Sequence, residues 1–254
     1  MNLTKVFQEK GVRDLLSESW SVSAPMTLIM VFEFLIGITD IYVAGKVGKE
    51  IQATYGFVIQ LYFVFIIIAN ALTTGTVSVL SRLFSSGDRK ELGRAIFSVL
   101  VVAAAAGLIF GILGIVLTPR LIAIVSIPTS LKPLGSPLGQ IYAAGLIFHY
   151  MLINTNGVLR SCKSVRLSLT TMATVCVSNI CLNFFLVFGT PLGYTGIALA
   201  TVLSTFAGCI MNLRHLRSFV PSSAMAFAAG RIREVAGIAW PFGLSQALWQ
   251  LHSM

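Results

Sequence analysis

Two carboxylates interrupt one of the most apolar stretches of this chain: Glu33 and Asp40, in MVFEFLIGITDIYVAGKVG at residues 30–48. A carboxylate at the centre of a bilayer costs about 2.5–3.5 kcal/mol on insertion scales, so it faces protein or a water-filled cavity. Seven residues apart on a helix of 3.6 residues per turn, the two share one face, about 10 Å apart along the axis. Each could carry a proton or simply tie helices together by a hydrogen bond. Asn179 and Asn183, in SNICLNFFLVFG, lie one turn apart on a common face. Thr201, in GYTGIALATVLS, stands beside a four-residue stripe of small side chains, Gly196, Ala200, Ser204 and Gly208, which lets a neighbouring backbone come close. Taken singly, Asn and Thr in such segments are packing contacts as readily as ligands. Together with an intramembrane Asp they form a set of hard oxygen ligands suited to a small cation.

The elements that must position these residues follow from composition. Of 254 residues, 56% are hydrophobic and 11% charged, and the mean hydropathy is +0.87. A soluble domain carries about 25% charged residues, and a helix needs about 20 apolar residues to cross a bilayer. The expectation is an all-α polytopic membrane protein. Six complete spans are expected at about 20–45, 53–81, 94–118, 138–160, 167–189 and 194–213, with a seventh opening at 234. The breaks carry turn chemistry at Ser86-Gly87-Asp88, at Pro128, Pro133 and Pro137, and at Gly189–Gly193. This gives an N-terminal segment (1–19), a six-helix lobe (20–218), a linker (219–233) and the start of a second unit (234–254). The linker reads equally as a surface amphipathic helix or a plain loop.

Charge placement sets the sidedness. Of the 18 Lys and Arg residues, 14 fall in the N-terminus and the segments after spans 2, 4 and 6, and four on the other side. The positive-inside rule then places the N-terminus in the cytoplasm of a cell (plasma or inner) membrane. The same distribution argues against nucleic acid as a partner, despite a net charge of +9; the partner is the lipid bilayer. No cleavable signal peptide is expected from MNLTKVFQEKGVRDLL. The four cysteines lack C-x-x-C spacing and read as buried free thiols. No phosphate-loop motif, H-E-x-x-H or G-x-S-x-G occurs, and an intramembrane aspartyl protease would need two catalytic Asp on different helices. The expectation is no enzyme and no cofactor; transport would draw on an ion gradient.

Secondary polar positions are Gln60, Asn70, Asn154 and Asn156, which could line a cavity or bond across helices. Tyr42, Tyr62 and Phe148 could be cargo contacts or core. Gly107 and Gly111 form a G-x-x-x-G pair, whose ordinary meaning is close helix packing. A short internal similarity links WSVSAPMTLIM around Pro25 to AGIAWPFGLSQ around Pro241, as in transporters built from repeats.

Five segments in order give the chain a family likeness: GITDIYVAGKVG, GTVSVLSRLFSSGD, NGVLRS, SNICLNFFLVFG and GYTGIALAT. The chain resembles the multidrug and toxic compound extrusion (MATE) transporters, over the first six-helix lobe and the start of helix seven of their twelve-helix fold. The resemblance implies an antiporter that expels small cationic, amphipathic compounds in exchange for Na+ or H+. It implies a coupling-cation site at Asp40, Asn179, Asn183 and Thr201, with Glu33 as a proton relay or cargo contact, and a missing C-terminal lobe of helices seven to twelve as partner. Asn183 departs from the branch that has Asp there, leaving one formal negative charge and favouring one monovalent cation or a proton. SCKSVR after helix four departs from the expected Gly-rich stretch. Two alternatives accompany this reading: a lipid-linked oligosaccharide flippase of the same superfamily, and a lobe inactive by itself.

Overall fold

The computed structural model describes residues 11–124, 128–220 and 225–252. Seven helices follow one another: α1 (Val12–Val47), α2 (Lys49–Ser86), α3 (Arg89–Ile124), α4 (Lys132–Ser161), α5 (Val165–Phe188), α6 (Thr195–Leu216) and α7 (Ala229–His252). The described residues contain no strand.

The helices outrun the apolar spans because hydropathy marks where a helix meets lipid, not where it frays. The break expected at 46–52 shrinks to Gly48 alone, since Lys46, Lys49, Glu50 and Gln52 continue the helical backbone on either side. The N-terminal segment expected to end at 19 is helical from Val12, and residues 1–10 lie outside the described residues. Residues 221–224 of the expected linker also lie outside them; 225–228 are irregular, and its last residues belong to α7. Pro25 and Pro241 both fall inside helices, 13 residues after the start of α1 and 12 after that of α7. They therefore sit well past the first turns, because the charged lead-ins are themselves helical.

Turn chemistry accounts for the helix ends. Gly87 takes φ +79°, the left-handed region that glycine enters without a Cβ clash. Asp88 then caps α3, its Oδ1 accepting from the amides of Lys90 (3.1 Å) and Glu91 (3.0 Å). α4 ends in the paired bonds of a Schellman turn, Ser164 N–H to Leu159 O (2.8 Å) and Lys163 N–H to Arg160 O (3.1 Å). Its left-handed position, Lys163 at φ +55°, is where the sequence lacks the expected glycine. A side chain there costs about 1–2 kcal/mol. Lys163→Gly is expected to raise the thermal midpoint of the purified protein, by up to about 1 kcal/mol of stability after glycine's greater unfolded-state freedom is allowed for.

α4 runs through the middle, against α2, α3 and α6. Five helices are long and apolar enough to cross a membrane by length and composition, and α4 is not among them. Surrounded by protein instead of lipid, it carries Gln140, His149, Asn154 and Asn156 without facing hydrocarbon. Glycines bring α3 onto it: a Cβ on Gly107 would lie 2.7 Å from Ile147 Cα, and one on Gly111 3.0 Å from Ala143 O. The stripe on α6 is buried, as spacing predicts; a Cβ on Gly196 would lie 2.9 Å from the Leu186 backbone of α5. Tyr55, Tyr62, Tyr142, Tyr150 and Ile197 fill the core between α2, α4 and α6. Large apolar side chains such as Phe34, Ile109, Ile112, Val116 and Phe185 remain on the outside, where lipid or another protein surface would cover them.

α7 docks on α2 and α3. Val235 packs over Gly75, and Glu234 pairs with Arg82 (2.5 Å) and Arg231 (3.3 Å), with Arg231 also 3.6 Å from Glu91. These charges are partly exposed, so each pair contributes at most about 1 kcal/mol; the apolar contact carries most of the docking.

Candidate functional site

Asp40 lies two turns before the C-terminal end of α1, with 2% of its surface exposed. Its Oδ1 accepts from Asn183 Nδ2 on α5 (2.6 Å), and its Oδ2 from Thr201 Oγ1 on α6 (3.1 Å) and Tyr55 OH on α2 (3.3 Å). Asn183 Nδ2 also donates to Asn179 Oδ1 (3.0 Å), and Asn179 Nδ2 donates to Thr201 Oγ1 (3.2 Å). The result is a closed ring, Asp40–Asn183–Asn179–Thr201, that joins α1, α5 and α6. Asn179 and Asn183 are fully buried.

Local sequence explains each placement. The four-residue spacing of the asparagines stacks them on the face of α5 that meets α1 and α6. The small stripe of α6 lets that helix settle against α5, and Thr201, at its edge, then reaches the carboxylate. Tyr55 reaches Asp40 because the α1–α2 connection is one residue, which folds the two helices back on each other.

The structure thus brings together the four residues picked out from sequence. Glu33 stands apart. It is exposed and bonded to none of the four, but it lines the same cavity as Asp40 and Thr201. That cavity, about 490 Å³, is enclosed by α1, α2, α4, α5 and α6. Most of its exposed wall is apolar, with Ile36, Ile59, Ile66, Leu152 and Met172, and polar side chains such as Asn70, Tyr142, His149 and Asn156 are set among them. Its charged side chains are Glu33, Asp40 and Arg160.

Several contributors escape sequence reasoning. Tyr55 is one: with Tyr62, already singled out, it repeats the seven-residue spacing of Glu33 and Asp40. Tyr142 packs between them, with ring centroids 6.4 Å and 5.1 Å away, and its hydroxyl is buried without a partner among the described residues. Tyr62 and His149 share a hydrogen bond of 2.7 Å. Asn70 and Asn156 line the cavity, while Asn154 donates to the Tyr150 carbonyl of its own helix (2.9 Å). Tyr42 is half exposed on the outside, and Phe148 stacks edge-on with Phe206 at 4.8 Å.

For a small cation the site offers two carboxylate oxygens, the amide oxygens of Asn179 and Asn183, and the Thr201 hydroxyl. Asn183 Oδ1 is buried and has no hydrogen-bond partner among the described residues, so the site holds a spare acceptor beside its one charge. No group of three or more His, Cys, Asp or Glu side chains forms a metal centre among the described residues. The donor set suits a monovalent ion better than a divalent or transition metal.

A family profile described as MatE matches residues 25–185. Among solved structures, the Vibrio cholerae MATE transporter VcmN in its bent form superposes with a TM-score of 0.88 at 21% identity, over 95% of this chain and 56% of that one. An outward-facing multidrug resistance MATE transporter of the MOP superfamily gives 0.81 at 19% identity, over 89% and 51%. A MOP superfamily transporter from Pyrococcus furiosus, described as having a binding pocket of reverse polarity, also gives 0.81 at 19%, over 89% and 51%. The chain spans about half the length of these structures. No curated protein matches by sequence.

Proposed function

The chain belongs to the MatE family, whose members are transporters and not enzymes, and from that premise we propose that it forms the ion-coupling lobe of a secondary antiporter. The exported compounds are cationic and amphipathic, and the counter-ion is Na+ or H+. The N-terminus lies in the cytoplasm, and helices seven to twelve are completed by a second lobe. The observation that carries this reading is the ring around Asp40: one buried carboxylate, held from three other helices, at the edge of a cavity large enough for a small molecule.

The ring suggests how an ion could be coupled to helix position. Ionised Asp40 accepts three hydrogen bonds and so holds α2, α5 and α6 to α1. A proton on Asp40 removes acceptor capacity and turns one oxygen into a donor facing other donors, which loosens the junction. A monovalent cation acts differently: it needs the amide oxygens and the Thr201 oxygen turned towards it. Asn183 can supply Oδ1 by rotating its amide; Oδ1 itself has no bond to give up, and the two Nδ2 bonds to Asp40 and Asn179 are exchanged for contacts with the ion. Either ion changes what joins α1 to α5 and α6, and these helices wall the cavity. That linkage is what antiport requires, because a ligand shifts an equilibrium only through different interactions with its two states.

The cavity's polarity favours cationic cargo over the flippase alternative. Two carboxylates against one guanidinium line it, whereas an anionic lipid-linked pyrophosphate would call for a basic wall. The test uses membrane vesicles from cells expressing the protein, loaded with a lipophilic cationic dye. Dye movement is expected on imposing a Na+ or an H+ gradient and is expected to stop when the matching ionophore collapses it. Dye movement indifferent to both gradients contradicts antiport.

A further inference from the structure

The end of the cavity away from Asp40 contains an oriented set of donors that the coupling site does not use. Arg160, in the last turn of α4, lines the cavity. Its guanidinium makes no hydrogen bond or ion pair among the described residues, and its Nε is buried. A charged side chain within a membrane lobe normally finds a partner. Glu33, across the cavity on α1, is within electrostatic reach of Arg160 but forms no ion pair with it.

One turn before Arg160, Asn156 shares its helix face. A chain of hydrogen bonds fixes the direction of the Asn156 amide. The Thr155 hydroxyl donates to Met151 O (2.7 Å), so its oxygen is free to accept from Asn212 Nδ2 (3.0 Å). The same Nδ2 donates to Asn156 Oδ1 (2.8 Å), and Ser168 Oγ donates there too (2.8 Å). With Oδ1 occupied twice, Asn156 Nδ2 is left without a partner among the described residues. A guanidinium and an amide NH2, four residues apart on one helix face, both line the cavity and have no acceptor. That is the arrangement that binds a carboxylate.

We propose that this end of the cavity is a subsite for amphoteric cargo, in which Arg160 and Asn156 hold a carboxylate and Glu33 holds an ammonium carried on the same apolar body. Ile29, Leu152, Met172 and Val175 supply the apolar wall. The inference rests on the transport reading above and narrows it. Cargo carries an anionic group as well as a cationic one, and Glu33 serves recognition while Asp40 serves the ion.

The probes are a fluorescent aryl amine bearing a free carboxylate and its methyl ester, titrated onto the purified chain in lipid nanodiscs. Wild type is expected to bind the carboxylate form at least about tenfold more tightly, a difference of about 1.4 kcal/mol. Arg160→Gln is expected to abolish that preference and keep the ester affinity within about twofold, which also reports that the variant is folded. Arg160→Lys, a point charge without the planar fork, is expected to fall between them. Equal affinities in wild type overturn the proposal without any variant, as does a preference that survives Arg160→Gln. Ester binding without preference removes this proposal alone; binding of neither probe removes the transport reading with it.

Discussion

Asp40→Asn is expected to reduce ion-driven dye movement to background, about 100-fold or more below wild type, with the protein still folded. An asparagine is nearly the same size but carries no charge and offers one acceptor oxygen in place of two. Asn183 can keep its bond to that oxygen. Thr201 and Tyr55, at 3.1 and 3.3 Å, would then face an NH2 group in place of Oδ2. Thr201 can return its proton to the Ile197 carbonyl, 3.3 Å away, which leaves Tyr55 to find another partner. The stability cost is one buried unsatisfied donor, about 1–3 kcal/mol, whereas the loss of ion binding is complete. Cargo affinity separates the two effects: with its apolar walls and Glu33 intact, the variant should still bind a cationic dye. If Asp40→Asn transported at the wild-type rate with the same ion dependence, Asp40 would not be the coupling group.

A large effect on stability is expected at Gly107, where α3 meets the backbone of α4. Alanine is normally favoured over glycine inside a helix by about 1 kcal/mol, so a Gly→Ala change at an uncrowded helix position should be neutral or stabilising. At Gly107 the added Cβ would lie 2.7 Å from Ile147 Cα and 3.1 Å from Tyr150 Cβ. The first of these is backbone of the central helix and cannot swing aside. Overpacking of this kind costs typically about 1–3 kcal/mol, enough to reverse the propensity gain. Gly56, with nothing within 4 Å of its Cβ position, is the internal control. In thermal unfolding followed by the loss of monodisperse protein, Gly107→Ala should lower the midpoint and Gly56→Ala should hold or raise it. A Gly107→Ala protein as stable as wild type would mean that α3 and α4 are not packed this closely.

The ring around Asp40 was readable from sequence because its members stand out. A carboxylate, two asparagines one turn apart and a threonine beside a small-residue stripe are conspicuous in apolar segments. Their spacing puts them on defined helix faces before any packing is known. Tyr55 and Tyr142 were not readable in the same way. Tyrosine is ordinary in membrane helices, and nothing local shows whether a phenol points at a carboxylate or at lipid. Arg160 was obscured by its position, since a basic residue at a helix end counts naturally as a loop charge. Only the fold turns it towards the cavity and opposite Glu33. The same limit affected the helix ends but not the existence of α4, whose expected span at 138–160 lies within Lys132–Ser161. Hydropathy reports exposure to lipid, so it stops short where a helix leaves the bilayer, as at Lys46 to Gln52. Where a turn needs a particular backbone, the local signal was sound, as at Gly87 with Asp88 and at Gly193.

The most direct test of the account is ion binding to the purified chain itself. Radiolabelled Na+ retained at equilibrium, with proton release followed in parallel by a pH dye, reports occupancy without requiring transport or a second lobe. One monovalent ion per chain, Na+ or H+, is predicted, with Na+ and protons in competition if both bind, and with all specific binding lost in Asp40→Asn. Specific binding that persists undiminished in Asp40→Asn, or no specific binding of either ion to the wild-type chain, would contradict it.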